Sequence, residues 1–196
     1  MAAKDKSIYE LFTIKSNDGS KTIDLRGAVV AFSYFENVFS PMLTAQVIVA
    51  TTGNVIADED GDMTSIYNGL PLRGGEKVSI KIPSNSGNNV DLEFTEKKGN
   101  ELYVGSITNI SIKAEKELFT LNLVSREAIT NETQRVGKKF PVTEPISDSV
   151  QEIIKEYLLS EKEVDVDETQ NPYGFIGNLK KPFTIITWLA AKSVPG

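Results

Sequence analysis

The 196-residue sequence contains no cysteine and no histidine. Their absence excludes disulfide scaffolds, thiolate or imidazole zinc sites, Cys-His and Ser-His catalysis and haem ligation through either residue. The mechanisms left to an enzyme are carboxylate-pair hydrolysis, lysine chemistry and carboxylate-bound Mg²⁺ or Ca²⁺. Long hydrophobic runs are also missing: none approaches the ~20 residues of a membrane span. The start, Met1-Ala2-Ala3-Lys4-Asp5-Lys6, lacks the apolar stretch of a signal peptide. These absences predict synthesis in the cytoplasm without signal-peptide export or membrane insertion. Positive charge is outnumbered, with 21 Lys and Arg against 27 Asp and Glu for a net −6, the wrong sign for a surface that neutralises phosphates. What remains is ordinary for a globular chain, 40% hydrophobic and 24% charged, at a length that suits one large domain or two small ones.

The most informative stretch runs from Leu25 to Thr52. Two β-prone runs, Leu25 to Phe35 and Leu43 to Thr51, are rich in Val, Ile, Ala, Thr and aromatics and flank the turn chemistry of Glu36-Asn37-Val38-Phe39-Ser40-Pro41. This pattern predicts a long hairpin. Alternation places Leu43, Ala45, Val47 and Val49 on an apolar face and Thr44, Gln46 and Ile48 on a mixed one. A long hairpin with two usable faces exceeds what one small core requires.

The rest of the chain follows in order. Ile8 to Ile14, a turn at Asn17-Asp18-Gly19-Ser20 and Lys21 to Leu25 predict an opening meander. Within Gly53 to Gly75, the segment Asp62 to Asn68 predicts a short helix capped by Asp62 and ended before Gly69 and Pro71. Val78, Ile80 and Ile82 alternate as a strand up to Pro83; a polar loop at Ser84 to Asn89 and a strand at Leu92 and Phe94 complete a second hairpin. Leu102 to Ile112 and Leu118 to Val124 give two more strands joined at Lys113 to Glu117. About seven strands and one short helix between Ile8 and Val124 imply an antiparallel barrel or sandwich. After Ser125 the pattern turns helical, at Arg126 to Thr133 and in a segment capped by Ser147-Asp148 with Val150, Ile153, Ile154, Tyr157 and Leu158 on one face. Ser160 to Pro182 reads as a long connection, and Thr184 as the cap of a last helix through Ala191. With only one small helix for Trp188 and Leu189 to pack on, further sequence after Gly196 is expected. The fold class is thus mainly β, α+β overall, with a β-domain over 1–124 and the start of a helix-containing domain over 125–196.

Candidate sites are few. Asp58-Glu59-Asp60-Gly61-Asp62 has the carboxylates of a cation loop but the wrong register for an EF-hand, with no closing Glu, and reads better as a solvated loop. Asp165, Asp167 and Glu168 read as a solvated connection rather than a catalytic pair. Arg73-Gly74-Gly75 is a lone RGG and reads as a turn; the sequons at Asn109 and Asn131 are chance matches without a secretory signal. Phe32, Tyr34, Phe35 and Phe39 form either a stacking platform for sugars or bases or, preferably, core or subunit interface. No catalytic residue, metal or cofactor is expected. The competing functions are a carbohydrate-binding β-module and, weakest, a carboxylate-based glycan hydrolase.

The motifs SYFENVFSPMLTAQVIV, GEKVSIKIP, LYVGSITNISIKAEKELFTLNLVSRE, GKKFPVTEPISDSVQEIIKEYL and KPFTIITWLAAKSVP resemble, in order, the central baseplate hub protein of contractile-tailed phages of the T-even type. That resemblance implies a structural virion protein made in the host cytoplasm: a trimer linking the tail tube to the spike, each full-length chain carrying two tail-tube-like β-domains. The first would be Ile8 to about Val124; the second is missing from this sequence. Expected partners are copies of itself, the spike protein and a tail-tube or tube-initiator protein, with no membrane and with DNA only passing through the channel. Ala31, Ser33, Thr44, Gln46 and Ile48 are then the candidates for the channel lining or the seam between subunits.

Overall fold

The computed structural model describes residues 8–52, 56–57, 63–84, 90–113 and 116–196. The chain divides into two compact units, one comprising Met1–Glu36 and Leu43–Ser125, the other Asn37–Met42 and Arg126–Gly196. In the first, the order is β1 (Leu11–Lys15), β2 (Thr22–Asp24), β3 (Val29–Phe35), β4 (Thr44–Thr51), β5 (Ile56–Ala57), β6 (Met63–Thr64), α1 (Ile66–Gly69), β7 (Lys77–Ile82), β8 (Leu92–Phe94), β9 (Leu102–Lys113) and β10 (Lys116–Ser125). Eight strands form one antiparallel sheet in the order β2-β1-β7-β9-β10-β4-β3, with β8 beside β7; β5 and β6 form a separate pair. The chain therefore has the mainly-β fold with a few helices that the periodicity predicts.

The sheet rolls over its own apolar face. Phe12 of β1 meets Phe32 of β3 edge-on at 5.9 Å, and Tyr34 of β3 lies 5.4 Å from Phe94 of β8, so opposite ends of the sheet share one core. Alternation along the strands supplies that core: Val47 and Val49 from β4, Val78 and Ile80 from β7, and Phe119, Leu121 and Leu123 from β10 are fully buried. Each such side chain contributes about 1.5–3 kcal/mol relative to exposure. The opening turn is fixed by Asp18, which accepts from the hydroxyl of Ser16 and from the amide and hydroxyl of Ser20. Those bonds, Ser16 first, hold its carboxyl down at about 2.

Several boundaries differ from the sequence reading. The main sheet holds eight strands against about seven expected; the strand expected at Leu92 and Phe94 is β8, and the addition is short β2, which pairs with β1. Leu25 lies fully buried in a turn ahead of β3, accepting from the amides of Ala28 and Val29, so the first hairpin strand starts at Val29. The helix expected from Asp62 begins at Ile66 instead. Its cap is Ser65, whose hydroxyl accepts from the Asn68 amide at 3.1 Å, while buried Glu117 accepts from the amides of Ile66 at 3.0 Å and Tyr67 at 2.8 Å. A carboxylate from β10 thus takes up helix-start donors that sequence reasoning assigns to a local Asp. Arg73-Gly74-Gly75 is a turn with φ of 102° at Gly74 and 92° at Gly75, values that favour glycine.

The second unit contains α2 (Arg126–Thr133), β11 (Lys139–Phe140), α3 (Ile146–Glu152), a π-helical turn (Ile153–Tyr157), β12 (Phe175–Ile176) and α4 (Pro182–Ala190). Its core gathers Val136, Phe140, Ile146, Ile153, Ile185 and Leu189. The amphipathic helix starts at Ile146 after Pro145, one residue before the expected Ser147 cap, and its last turn widens to the π form. The last helix is capped at Lys181 rather than Thr184, with Pro182 in the first turn, where its missing amide hydrogen is not needed. The stretch expected to be a bare connection pairs three times with earlier chain, β12 on β11, Pro172 on Pro145 and Lys180 on Val136. It supplies what Trp188 was expected to lack: the indole lies edge-on to Tyr173 at 5.5 Å and Phe175 at 5.6 Å, and Leu189 is fully buried.

Two features of this unit carry measurable consequences. A Cβ on Gly177 would lie 2.3 Å from the Val136 carbonyl oxygen. Gly177→Ala is expected to destabilise this unit by about 2 kcal/mol, read as urea unfolding through the single tryptophan, Trp188. Glu127 is buried on α2, accepting from Lys162 Nζ at 2.8 Å and Ser160 Oγ at 2.7 Å. Burial pushes its pKa up, but the Lys162 and Ser160 bonds outweigh burial and leave it below the ordinary 4.5. A depressed folded-state pKa means fewer bound protons in the folded form, so the stabilisation is present above pH 4.5 and is lost as pH falls through the depressed value. Glu127→Gln should therefore flatten the fall in stability on acidification; an unchanged acid dependence would remove Glu127 as its source.

Candidate assembly face

Four consecutive strands, β9-β10-β4-β3, turn one face to the core and the other outward. On the outward face the register lines up cross-strand rows. Ser33 lies opposite Gln46, Gln46 opposite Asn122 and Asn122 opposite Ser106. In the next row Ala31 lies opposite Ile48, Ile48 opposite Thr120 and Thr120 opposite Thr108. Beside them Phe35, Thr44 and Val124 form a third row, and Ala50, Leu118 and Ser111 a fourth. None of these positions is Asp, Glu, Lys or Arg, in a chain that is 24% charged.

Side-chain amides tie the rows together. Gln46 Nε2 donates to Asn122 Oδ1 at 3.0 Å, and Asn122 Nδ2 donates to Ser106 Oγ at 3.1 Å and Thr108 Oγ1 at 3.2 Å. Asn109 sits in the left-handed region, φ 54°, where the β9–β10 register slips, and its amide reaches Thr120 Oγ1 at 3.4 Å. The result is a pre-ordered band of amides and hydroxyls with no net charge. Amide and hydroxyl groups tied to one another this way offer a partner both donors and acceptors without the desolvation penalty of an ion.

Among the described residues the band ends at two open strand edges. β3 is the last strand of the sheet, and β9 pairs with β7 only at Leu102 and Tyr103. Beyond the Val104 contacts with Gly75 and Glu76, β9 pairs only with β10 among the described residues. Unpaired edge donors and acceptors are templates for pairing with another strand.

Every sequence-predicted position lies on this face: Gln46 and Ser33 are exposed, and Ala31, Thr44 and Ile48 half-buried. Their predicted counterparts Ala45, Val47 and Val49 are buried, and Leu43 packs on the core. Sequence reasoning missed Asn122, Thr120, Ser106 and Thr108. Their signal was available, since Thr120 and Asn122 alternate with Phe119, Leu121 and Leu123.

The aromatic platform does not assemble. Phe32 and Tyr34 point into the core, while Phe35 and Phe39 are exposed, as strand alternation requires for 32 and 34 against 35. The Tyr34 hydroxyl donates to Glu36 at 2.7 Å, and burial together with that bond pushes its pKa up to about 12. The acidic loop Asp58–Asp62 lies outside the described residues. Asp165, Asp167 and Glu168 are exposed on a stretch without helix or strand. Among the described residues no group of three acidic side chains is placed to hold a metal ion, and no helix is long and apolar enough to cross a membrane. A recess of about 720 Å³ at the Ala28–Ala50–Leu118 end of the sheet has two acids in its lining. Both are engaged: Asp24 with Arg26, and Glu117 with the start of α1.

No family model and no curated protein matches this sequence. The fold is similar to that of the 43 kDa tail protein of prophage MuSo2 from Shewanella oneidensis, with a TM-score of 0.59 and 11% identity over 93% of this chain and 48% of that one. An Escherichia coli component of the type VI secretion system, described as structurally similar to bacteriophage T4 tail proteins, superposes with a TM-score of 0.47 and 9% identity over 97% of this chain and 42% of that one. The chain thus spans less than half the length of either neighbour, and what it shares with the prophage tail protein is the fold.

Proposed function

We propose that the chain is a structural subunit of a phage tail baseplate, forming the central hub ring that links the tail tube to the spike. The observation that carries this reading is the uncharged amide and hydroxyl band across β9, β10, β4 and β3, bounded on both sides by open edges. Four successive rows without a charged side chain, in which Thr120 is buried while Gln46, Ser106 and Thr108 are exposed, are unusual where solvent is the only neighbour. Pairing β3 of one copy with the free half of β9 of the next closes both edges and carries the Ser33–Gln46–Asn122–Ser106 row from subunit to subunit. The product is a ring whose inner wall is polar and neutral, a surface along which DNA passes without being held. The fold shared with a prophage tail protein supports the same reading.

In this reading residues 1–124 are the tail-tube-like domain and 125–196 begin a second domain. The partners are further copies in a trimer, the spike protein on one side and a tail-tube or tube-initiator protein on the other, all within the virion. Electron microscopy of intact particles with an antibody against the chain tests it. Label at the baseplate is expected; label on the capsid, or none on purified particles, would overturn the assignment.

A further inference from the structure

We propose that a basic patch on the second unit docks the acidic run 163–168 of a second copy. Two lysine pairs far apart in sequence, Lys138-Lys139 and Lys180-Lys181, are brought together by the bridge between Val136 and Lys180 and by the Gly177 amide bonded to the Lys138 carbonyl. Arg135 lies beside them, its guanidinium on the carbonyls of Glu132 and Gln134. Lys138 is neutralised by Glu152 and Lys181 by Glu132. Lys139 and Lys180 are exposed and take part in no ion pair among the described residues. Arg135 shares the Glu132 carboxylate with Lys181, so Lys139 and Lys180 are the two positive charges left without an acidic partner beside one bridge, in a chain of net charge −6.

The occupant follows from charge complementarity within the same sequence. From 163 to 167 burial alternates: Val164 and Val166 are half-buried, while Glu163, Asp165 and Asp167 are exposed. The end of the run is fixed, because Glu168 accepts from the Gly196 amide and Thr169 pairs with Pro195. Glu163, Asp165, Asp167 and Glu168 take part in no ion pair among the described residues. The basic patch of one copy meeting the four-acid run of the next is a heterologous contact, the type that closes into a ring when the rotation permits. The charge distribution favours this over nucleic acid, because the acidic run repels phosphate. The proposal shares with the hub reading only that the partner is another copy.

The test is self-association by sedimentation velocity at low and high salt. Four proteins are compared: the chain itself, Lys139→Glu with Lys180→Glu, Asp165→Lys with Asp167→Lys, and the combination of all four. Circular dichroism serves as the folding control. Exposed ion pairs are individually weak and salt-screened, so several acting together are expected to give roughly tenfold in affinity. Each double reversal should weaken association about tenfold, and the fourfold reversal should restore it. A fourfold variant no better than either double, or a chain that stays monomeric throughout, overturns the proposal. So does short duplex DNA bound by the chain and lost in the lysine variant, with association unchanged. Association that survives all reversals but is lost on altering the sheet face would leave the hub reading standing and remove this contact.

Discussion

Val47→Asp is expected to prevent folding of the first unit, whereas Gln46→Lys, one residue away, is expected to leave folding intact and abolish assembly. Val47 is fully buried between β3 and β10, opposite Phe32 and Leu121. An unpaired carboxylate there meets no donor, and its burial costs several kcal/mol, comparable with the whole stability of a domain at about 5–15 kcal/mol. Gln46 is exposed, and losing its bond to Asn122 costs about 1 kcal/mol or less. In a ring, however, each copy would place a lysine on a shared neutral wall. Thermal unfolding by circular dichroism and mass by light scattering separate the two effects. Equal loss of folding in both variants would contradict the assignment of faces.

Glu76→Ala is expected to destabilise the first unit by about 3 kcal/mol. The Glu76 carboxylate is 1% exposed and accepts from the amides of Arg73 at 2.7 Å and Gly74 at 3.0 Å, with the Asn17 side-chain amide at 3.4 Å. Asn17 also donates to the Gly74 carbonyl at 2.9 Å, so one buried acid locks the glycine turn to the first hairpin. Alanine leaves those donors without a partner. Glu76→Gln keeps one acceptor oxygen and should lose roughly half as much. Urea unfolding checks both, and a loss below about 1 kcal/mol for the alanine variant would mean that water replaces the carboxylate.

The contrast between these sites marks what was legible in the sequence. Strict alternation from Leu43 to Val49 assigned each of those side chains to its observed face, because a strand under one apolar core has no other register open to it. The same reasoning applied to Leu118 to Val124 yields Thr120 and Asn122. Which strands lie next to one another was not legible: the meeting of Gln46 with Asn122 depends on β10 lying beside β4 across 76 positions of sequence. Glu76 and Glu117 escaped for the same reason. A buried acid is identified by the amides it receives, and those come from Arg73-Gly74 and from Ile66-Tyr67, segments whose irregular backbone has no periodicity to read. The second unit was read least well. Its core depends on β11 and β12 meeting across a stretch rich in Asn, Pro and Gly that looked like a bare connection.

The central claim is that the uncharged face of β9, β10, β4 and β3 is built to meet other copies of the chain. The most direct measurement is hydrogen exchange on the chain as a function of concentration, with mass followed by light scattering. The account predicts that the mass rises toward a closed oligomer at micromolar concentration and that the edge amides of β3 and of β9 beyond Val104 become protected in parallel. A chain that stays monomeric with those amides exchanging freely, or that oligomerises without protecting them, would contradict it.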